Sequence, residues 1–158
     1  MSINLFSFPS TSRAPTTANP ITSFAAGTTY TLTATSAAIA FGTTSPSITI
    51  SAPGTYLIFC RAEVVLNGAT FAASRTVTIK ARRTNNTAAD LTNGTVTNIT
   101  PVVTTVSGTL ADDQWICAPY TTTNSDDVIT LFGDVSVLPT AGTIFIHEAN
   151  IVAIRLQG

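Results

Sequence analysis

One stretch of the chain, SAPGTYLIFCRAEVVLNG over residues 51–68, has an apolar residue at every second position from Tyr56 to Leu66. The apolar set at every second position is Tyr56, Ile58, Cys60, Ala62, Val64 and Leu66. A period of two residues is that of a β-strand, in which successive side chains point to opposite faces of a sheet. A Pro-Gly pair precedes the alternation and an Asn-Gly pair follows it, and both are turn signals. The stretch therefore predicts one long strand over residues 54–66 with a fully apolar face.

The other face of this predicted strand is unusual. It begins with the apolar Leu57 and Phe59, and only then becomes charged at Arg61 and Glu63. A strand that turns one face to water is normally polar along all of that face. We therefore expect a second layer to cover Leu57 and Phe59.

The stretch NIVAIRL near the end of the chain is also apolar on both faces. One phase holds Ile151 and Ala153, and the other holds Val152, Ile154 and Leu156. One face of such a strand can pack on a partner sheet, but the other needs a helix or another copy of the chain. No segment of ten or more residues has an apolar period of 3.6 residues, so no helix is predicted. The sequence therefore predicts an oligomer.

Composition supports a fold made only of strands. The 158 residues include 31 Thr, and Thr is enriched in strands because it is β-branched. Charged residues make up 9%, well below the roughly 25% of typical globular chains. Alternation and turn signals predict strands over 28–35, 37–41, 47–50, 54–66, 70–83, 95–106, 114–120, 127–137, 143–148 and 150–156. We expect an all-β, antiparallel jelly-roll sandwich of eight to ten strands over residues 27–158.

Residues 1–26 differ from the rest of the chain. They contain three prolines among Ser, Thr and Ala, which excludes a helix and a central strand. Their apolar cluster consists of Ile3, Leu5, Phe6 and Phe8. An apolar tip on a Pro-rich spacer suits docking onto another protein, so this segment is predicted to be an extended N-terminal arm that acts as an anchor. The alternative is that it packs on its own assembly as an extra edge strand.

The sequence offers no set of residues typical of an enzyme. Its single histidine, His147, has no serine in a Gly-x-Ser-x-Gly context to pair with, and is expected to end a strand before a tight turn. Two cysteines and one histidine do not supply the four ligands of a structural metal site. The chain is therefore predicted to be non-enzymatic and to have no cofactor.

For two pairs of acidic residues, one pair of arginines and the two cysteines, the sequence allows two interpretations each. The pairs Asp112–Asp113 and Asp126–Asp127 suit turns, or could supply oxygen ligands to calcium. Arg82–Arg83 suits a solvated strand end, or a contact to an acidic neighbour. Cys60 and Cys117 suit free, buried thiols, or a disulfide.

Charge and hydropathy exclude two classes of partner. The net charge is −1 and the pI is about 5.6, without the basic patch that nucleic-acid binding needs. No apolar run approaches the ~20 residues of a membrane span, and the N-terminal stretch does not have the pattern of a secretory signal peptide. We expect neither nucleic-acid nor membrane partners.

Two motifs resemble a known family. APGTYLIF at 52–59 and ANIVAIRL at 149–156, with the order of predicted strands between them, resemble the trimeric jelly roll of the tumour-necrosis-factor and complement-globular-head class. With its Pro/Ser/Thr-rich arm, the chain is most similar in kind to the decoration and head-fibre proteins of tailed bacteriophages. It departs from the class in having no collagen-like stalk and no receptor-binding motif that we can match.

The resemblance implies a homotrimer whose inner sheets pack around a threefold axis. The predicted interface residues are Tyr30, Leu57, Phe59, Phe132, Ile151 and Ala153. It also implies a structural protein of the virion surface, assembled in the host cytoplasm, with the arm docking on the major capsid protein or another virion protein. The alternative is a module that binds a receptor or glycan through loops at 84–94 and 121–126.

Overall fold

The computed structural model describes residues 20–100 and 107–157, and these residues form two antiparallel sheets. The strands are β1 (Ile21–Thr31), β2 (Ala37–Ala38), β3 (Ser47–Ile50), β4 (Gly54–Thr70), β5 (Arg75–Arg83), β6 (Ala89–Thr100), β7 (Thr109–Thr122), β8 (Asp127–Val135) and β9 (Ala141–Gln157). None of the described residues belongs to a helix that could cross a membrane.

The order of the strands is that of a jelly roll. The front sheet has the order β1-β9-β4-β7, and the back sheet has the order β2-β8-β5-β6 with β3 also paired to β8. The chain passes repeatedly from one sheet to the other, although β2 and β3 stay in the back sheet, as do β5 and β6. The first strand, β1, pairs with the last, β9. This winding is typical of a double-sheet jelly roll, so the predicted all-β fold is confirmed.

The core lies between the two sheets, and the apolar face of β4 that the alternation predicted points into it. All six residues of the apolar phase of β4 are at most 5% exposed. Ala153 lies opposite Ile58 and Ile151 lies opposite Cys60, so both residues of β9 point into the same core. The prediction that Ile151 and Ala153 contact neighbouring subunits is therefore wrong, because the back sheet covers them.

Strand β9 is one strand where the sequence predicted two. It pairs with β4 through a β-bulge, since Glu63 lies opposite Glu148 but Val64 lies opposite Ile146. His147 is the extra residue of this bulge, so the predicted tight turn after it is wrong. A bulge adds one residue without ending the strand, so the alternation of apolar residues changes phase at that point. In the sequence, this change of phase looks like the boundary between two strands.

The jelly roll begins earlier than predicted. β1 begins at Ile21, which lies opposite Ala153, so residues 21–26 belong to the jelly roll. The proposed anchor residues Ile3, Leu5, Phe6 and Phe8 lie outside the described residues. The predicted loop 84–94 is also shorter, because β6 already begins at Ala89.

The two cysteines are free thiols on neighbouring strands. Cys60 points into the core, whereas Cys117 is exposed on the outer face of the front sheet. Side chains on opposite faces of one sheet point apart and cannot be bridged. The expectation of free thiols is confirmed, and the expectation that Cys117 is buried is wrong.

Candidate functional site

The outer face of the front sheet is apolar at one end. In one row across the sheet, Leu57 lies between Pro119 and Ile154. In the next outward-facing row, Phe59 lies between Cys117 and Val152. Side chains directly opposite each other on neighbouring strands are about 5 Å apart, so these two rows form one continuous patch. Leu57, Phe59 and Val152 are only half-buried, and Ile154 is 39% exposed.

The middle of the same face is charged, but its charges are paired with one another. The guanidinium of Arg61 donates to Glu148 and lies 2.9 Å from Asp113. These hydrogen bonds, with Glu148 as the larger cause, raise the pKa of Arg61 above its ordinary value. Nδ1 of His147 lies 2.7 Å from a carboxylate oxygen of Glu63. Polar groups that already have partners lose less when a second surface covers them.

Exposed aromatic residues mark both edges of this face. Phe24 on β1 and Trp115 on β7 are 60% and 61% exposed. They belong to one row, in which Phe24 lies opposite Asn150, Asn150 opposite Arg61, and Arg61 opposite Trp115. The Arg61 guanidinium lies 5.9 Å from the centre of the Trp115 ring. Large exposed aromatic residues beside an apolar patch are typical of an interaction surface.

The predicted interface residues do not share one surface. Leu57 and Phe59 lie on the outer face of the front sheet. Tyr30 packs against the core, and Phe132 lies on the outer face of the back sheet, 5.6 Å from the guanidinium of Arg82. Tyr30 and Phe132 therefore do not lie on the face that holds Phe59, and their predicted interface roles stay predictions.

Sequence reasoning did not assign Phe24, Trp115, Val152 and Ile154 to this surface. For Val152 and Ile154 the sequence did contain a signal, the second apolar phase of NIVAIRL. For Phe24 and Trp115 it contained no signal, because only the pairing of β1 and β7 with their neighbouring strands places these residues in one row.

A second polar cluster lies at one end of the sandwich, around Asp127. Its carboxylate is fully buried and accepts hydrogen bonds from Tyr120 (2.5 Å), Thr122 (2.5 Å), Asn86 (2.9 Å) and Asn124 (3.1 Å). Burial raises the pKa of Asp127, but these hydrogen bonds outweigh it and lower the pKa to about 2. Asp127 is therefore a charged group that joins β7, β8 and two loops.

The two loops beside Asp127 are held together by further contacts. The Asn85 side chain donates to the carbonyl of Asp126 at 2.6 Å and accepts from the amide of Val128 at 2.6 Å. Asn86 and Thr87 adopt positive φ angles of 53° and 99°, which is uncommon for a β-branched residue such as Thr87. Backbone strain of this kind persists only where surrounding contacts hold it.

The open interpretations of the charged pairs can now be decided in part. Asp112 and Asp113 lie within strand β7, so the expectation that they form a turn is wrong. Among the described residues, no group of three or more His, Cys, Asp or Glu side chains is arranged to hold a metal ion. Arg82 and Arg83 both contact acidic neighbours, at 3.6 Å from Asp90 and 3.8 Å from Asp127, as one of the two interpretations expected.

Comparisons with known proteins assign no family to the chain. No protein-family model matches the chain, and no curated protein matches it. Among solved structures, it is similar to the globular domain of the zebrafish complement 1qA protein, with 12% sequence identity and a TM-score of 0.49. The similarity covers 87% of this chain and 96% of that domain. The resemblance to bacteriophage proteins stays a prediction.

Proposed function

We propose that this protein is a structural, non-enzymatic module that assembles as a homotrimer through the outer face of its front sheet. The observation that carries the proposal is the patch of Leu57, Phe59, Val152 and Ile154, which no described element of the chain covers. Apolar side chains on a sheet face are stabilised by removal from water, at about 25 cal/mol per Å². A second copy of the chain is the occupant that the matching apolar rows favour.

The distribution of side chains on this face supports a cyclic assembly. In a ring, one edge of each copy meets the opposite edge of the next copy. The edges formed by β1 and β7 carry the exposed Phe24 and Trp115, which supplies an aromatic anchor for each side of such a contact. The paired charges of Arg61, Asp113 and Glu148 can then be covered without leaving a charge unpaired. The resemblance in sequence gives three as the number of copies.

The proposal includes attachment to a virion through the N-terminal arm. The arm joins the jelly roll at Ile21, the first residue of the edge strand β1. Its apolar cluster at Ile3, Leu5, Phe6 and Phe8 suits docking on a capsid protein, because a disordered tail is usually depleted in aromatic residues. Three linked arms would raise the apparent affinity by about 10²–10⁴ where the geometry permits.

Two measurements test this function. Sedimentation equilibrium of the full chain should give three times the monomer mass of 16.4 kDa, and a monomer would contradict the proposed assembly. Removal of residues 1–20 should leave the trimer and its melting temperature nearly unchanged but abolish binding to particles that lack the protein. Truncated protein that still binds at full occupancy would place attachment on the jelly roll. Truncated protein that falls apart would make the arm part of the fold.

A further inference from the structure

A small cleft opens between the two sheets beside the ends of β5, β6 and β7, and of the apolar rows on the outer face of the front sheet only Pro119 also lines it. Its volume is about 220 Å³. Its lining includes Arg83, Leu91 and Tyr120, which lie on the faces of their strands that point toward the core. Ala89 and Pro119 also line it. Pockets for drug-sized ligands occupy roughly 300–1,000 Å³, so this cleft is matched to a smaller molecule, the size of one sugar ring.

The polar groups of the cleft are fixed in place by the protein. The Tyr120 hydroxyl donates to Asp127 at 2.5 Å, and Nε of Arg83 donates to the carbonyl of Thr87 at 2.9 Å. Asp127 is fully buried, and it is itself held by side chains from both neighbouring loops. A ligand that meets side chains already immobilised in this way causes less loss of conformational entropy on binding.

The charge of the cleft favours an uncharged ligand. Nη1 of Arg83 lies 3.8 Å from Oδ2 of Asp127. The other charged lining residue, Asp90, lies 3.6 Å from Nη1 of Arg82, so each charge of the cleft is offset by an opposite charge. The guanidinium of Arg83 has five N–H donors, so it keeps donors for a ligand oxygen beside its contacts to Thr87 and Tyr120. The Tyr120 hydroxyl uses its hydrogen for Asp127 and also interacts with the Arg83 side chain, and it keeps a lone pair that can accept from a ligand.

The remaining wall of the cleft is partly polar, at Asp90, Thr92 and Thr121, and partly apolar. Leu91, Pro119 and the ring of Tyr120 form the apolar part. A ligand that matches these features is small and neutral, has hydroxyl groups that both donate and accept, and has an apolar face of C–H groups. We propose that the cleft binds a single uncharged sugar unit of a glycan. This inference does not rest on the trimer, because the lining residues all belong to one chain.

The test is a titration of the full-length protein, followed by chemical shifts in ¹H–¹⁵N NMR spectra. The probes are glucose, galactose, mannose and N-acetylglucosamine, with inorganic phosphate and acetate as charged comparators. At least one sugar should bind saturably and shift the amides of Leu91 and Tyr120. Ala89→Phe should fill the cleft and weaken this binding by about tenfold or more, which corresponds to about 1.4 kcal/mol. Ala88→Phe is the matched control, because Ala88 is exposed but does not line the cleft.

Each other outcome overturns the proposal. Absence of saturable binding for all four sugars refutes the proposed sugar site. Tighter binding of phosphate or acetate than of any sugar contradicts the proposal that the ligand is uncharged. Equal affinities of the Ala89→Phe and Ala88→Phe proteins place the site elsewhere. If Ala89→Phe does not fold, Arg83→Gln against Arg82→Gln decides instead, since only Arg83 lines the cleft. Unchanged sugar affinity in a folded Arg83→Gln protein then refutes the assignment.

Discussion

The Tyr120 hydroxyl and the Asp127 carboxylate are joined by a hydrogen bond of 2.5 Å that connects the end of β7 to the first residue of β8. The same carboxylate accepts from Asn86, in the loop that follows β5. One buried charge thus holds together three parts of the chain at the end of the sandwich. Hydrogen bonds to a charged acceptor are about twice as strong as neutral ones, so Asp127 is a principal stabilising group there.

Replacement of Asp127 by Asn should destabilise the protein by about 2 kcal/mol, the value that corresponds to its depressed pKa. The side-chain amide of Asn keeps one acceptor oxygen, but its NH₂ group brings two donors to a site where the surrounding groups also donate, so those donors find no acceptor. Denaturant unfolding monitored by circular dichroism measures the change. Asp126→Asn is the control, because Asp126 is exposed and its carboxylate accepts only from Asn86 among the described residues. Equal stability of the two variants would contradict the role of Asp127.

The contribution of Asp127 should also depend on pH. Its pKa is lowered from 3.8 to about 2 in the folded protein, so the folded state favours the charged form. The stabilisation is therefore fully present above the unfolded value and is lost as pH falls through the folded value. We expect the stability difference between the natural protein and Asp127→Asn to shrink from about pH 4 to about pH 2. A difference that stays constant over this range would show that the pKa is not depressed.

Replacement of Phe59 by Asp should break the trimer or make the chain insoluble. It places an unpaired charge in a surface that is covered in the assembly, at a cost of several kcal/mol per chain. Sedimentation equilibrium measures the mass of the soluble fraction. Phe132→Asp is a matched control, because Phe132 is also a half-buried phenylalanine but lies on the outer face of the back sheet. The control protein should remain a trimer.

Cys117 gives a second measure of this interface. It lies opposite Phe59, in the same row on the outer face of the front sheet. In the assembled protein it should react slowly with iodoacetamide, and in soluble Phe59→Asp protein it should react at the rate of an exposed thiol. A trimeric Phe59→Asp protein, or a monomeric Phe132→Asp protein, would mean that a different face carries the assembly.

Cys60 should resist alkylation until the protein unfolds. It is 1% exposed, and burial raises its pKa to about 12, so the reactive thiolate is nearly absent at neutral pH. Mass spectrometry before and after denaturation in guanidinium checks this. No disulfide should be found in either sample, because Cys60 and Cys117 point to opposite faces of one sheet. Rapid modification of Cys60 in the native protein would indicate that the core opens locally.

The sequence by itself determined the fold class and one face of the core. The alternation from Tyr56 to Leu66 is local information, since a period of two sorts side chains between the faces of a strand wherever the strand lies. It did not determine which face of NIVAIRL is covered, because both phases there are apolar. The tertiary structure decided it through register: Ala153 lies opposite Ile58, and Val152 lies opposite Phe59.

The polar sites depended still more on the tertiary structure. Asn86, Tyr120 and Asp127 belong to different elements, and no spacing in the sequence relates them. They meet because the jelly roll brings the end of β7, the start of β8 and the loop after β5 to one end of the sandwich. His147 was assigned to a turn because a bulge, which depends on pairing with β4, cannot be distinguished from a strand end by alternation alone. Local periodicity determines how each strand divides its side chains, and only the pairing of distant strands determines which side chains meet.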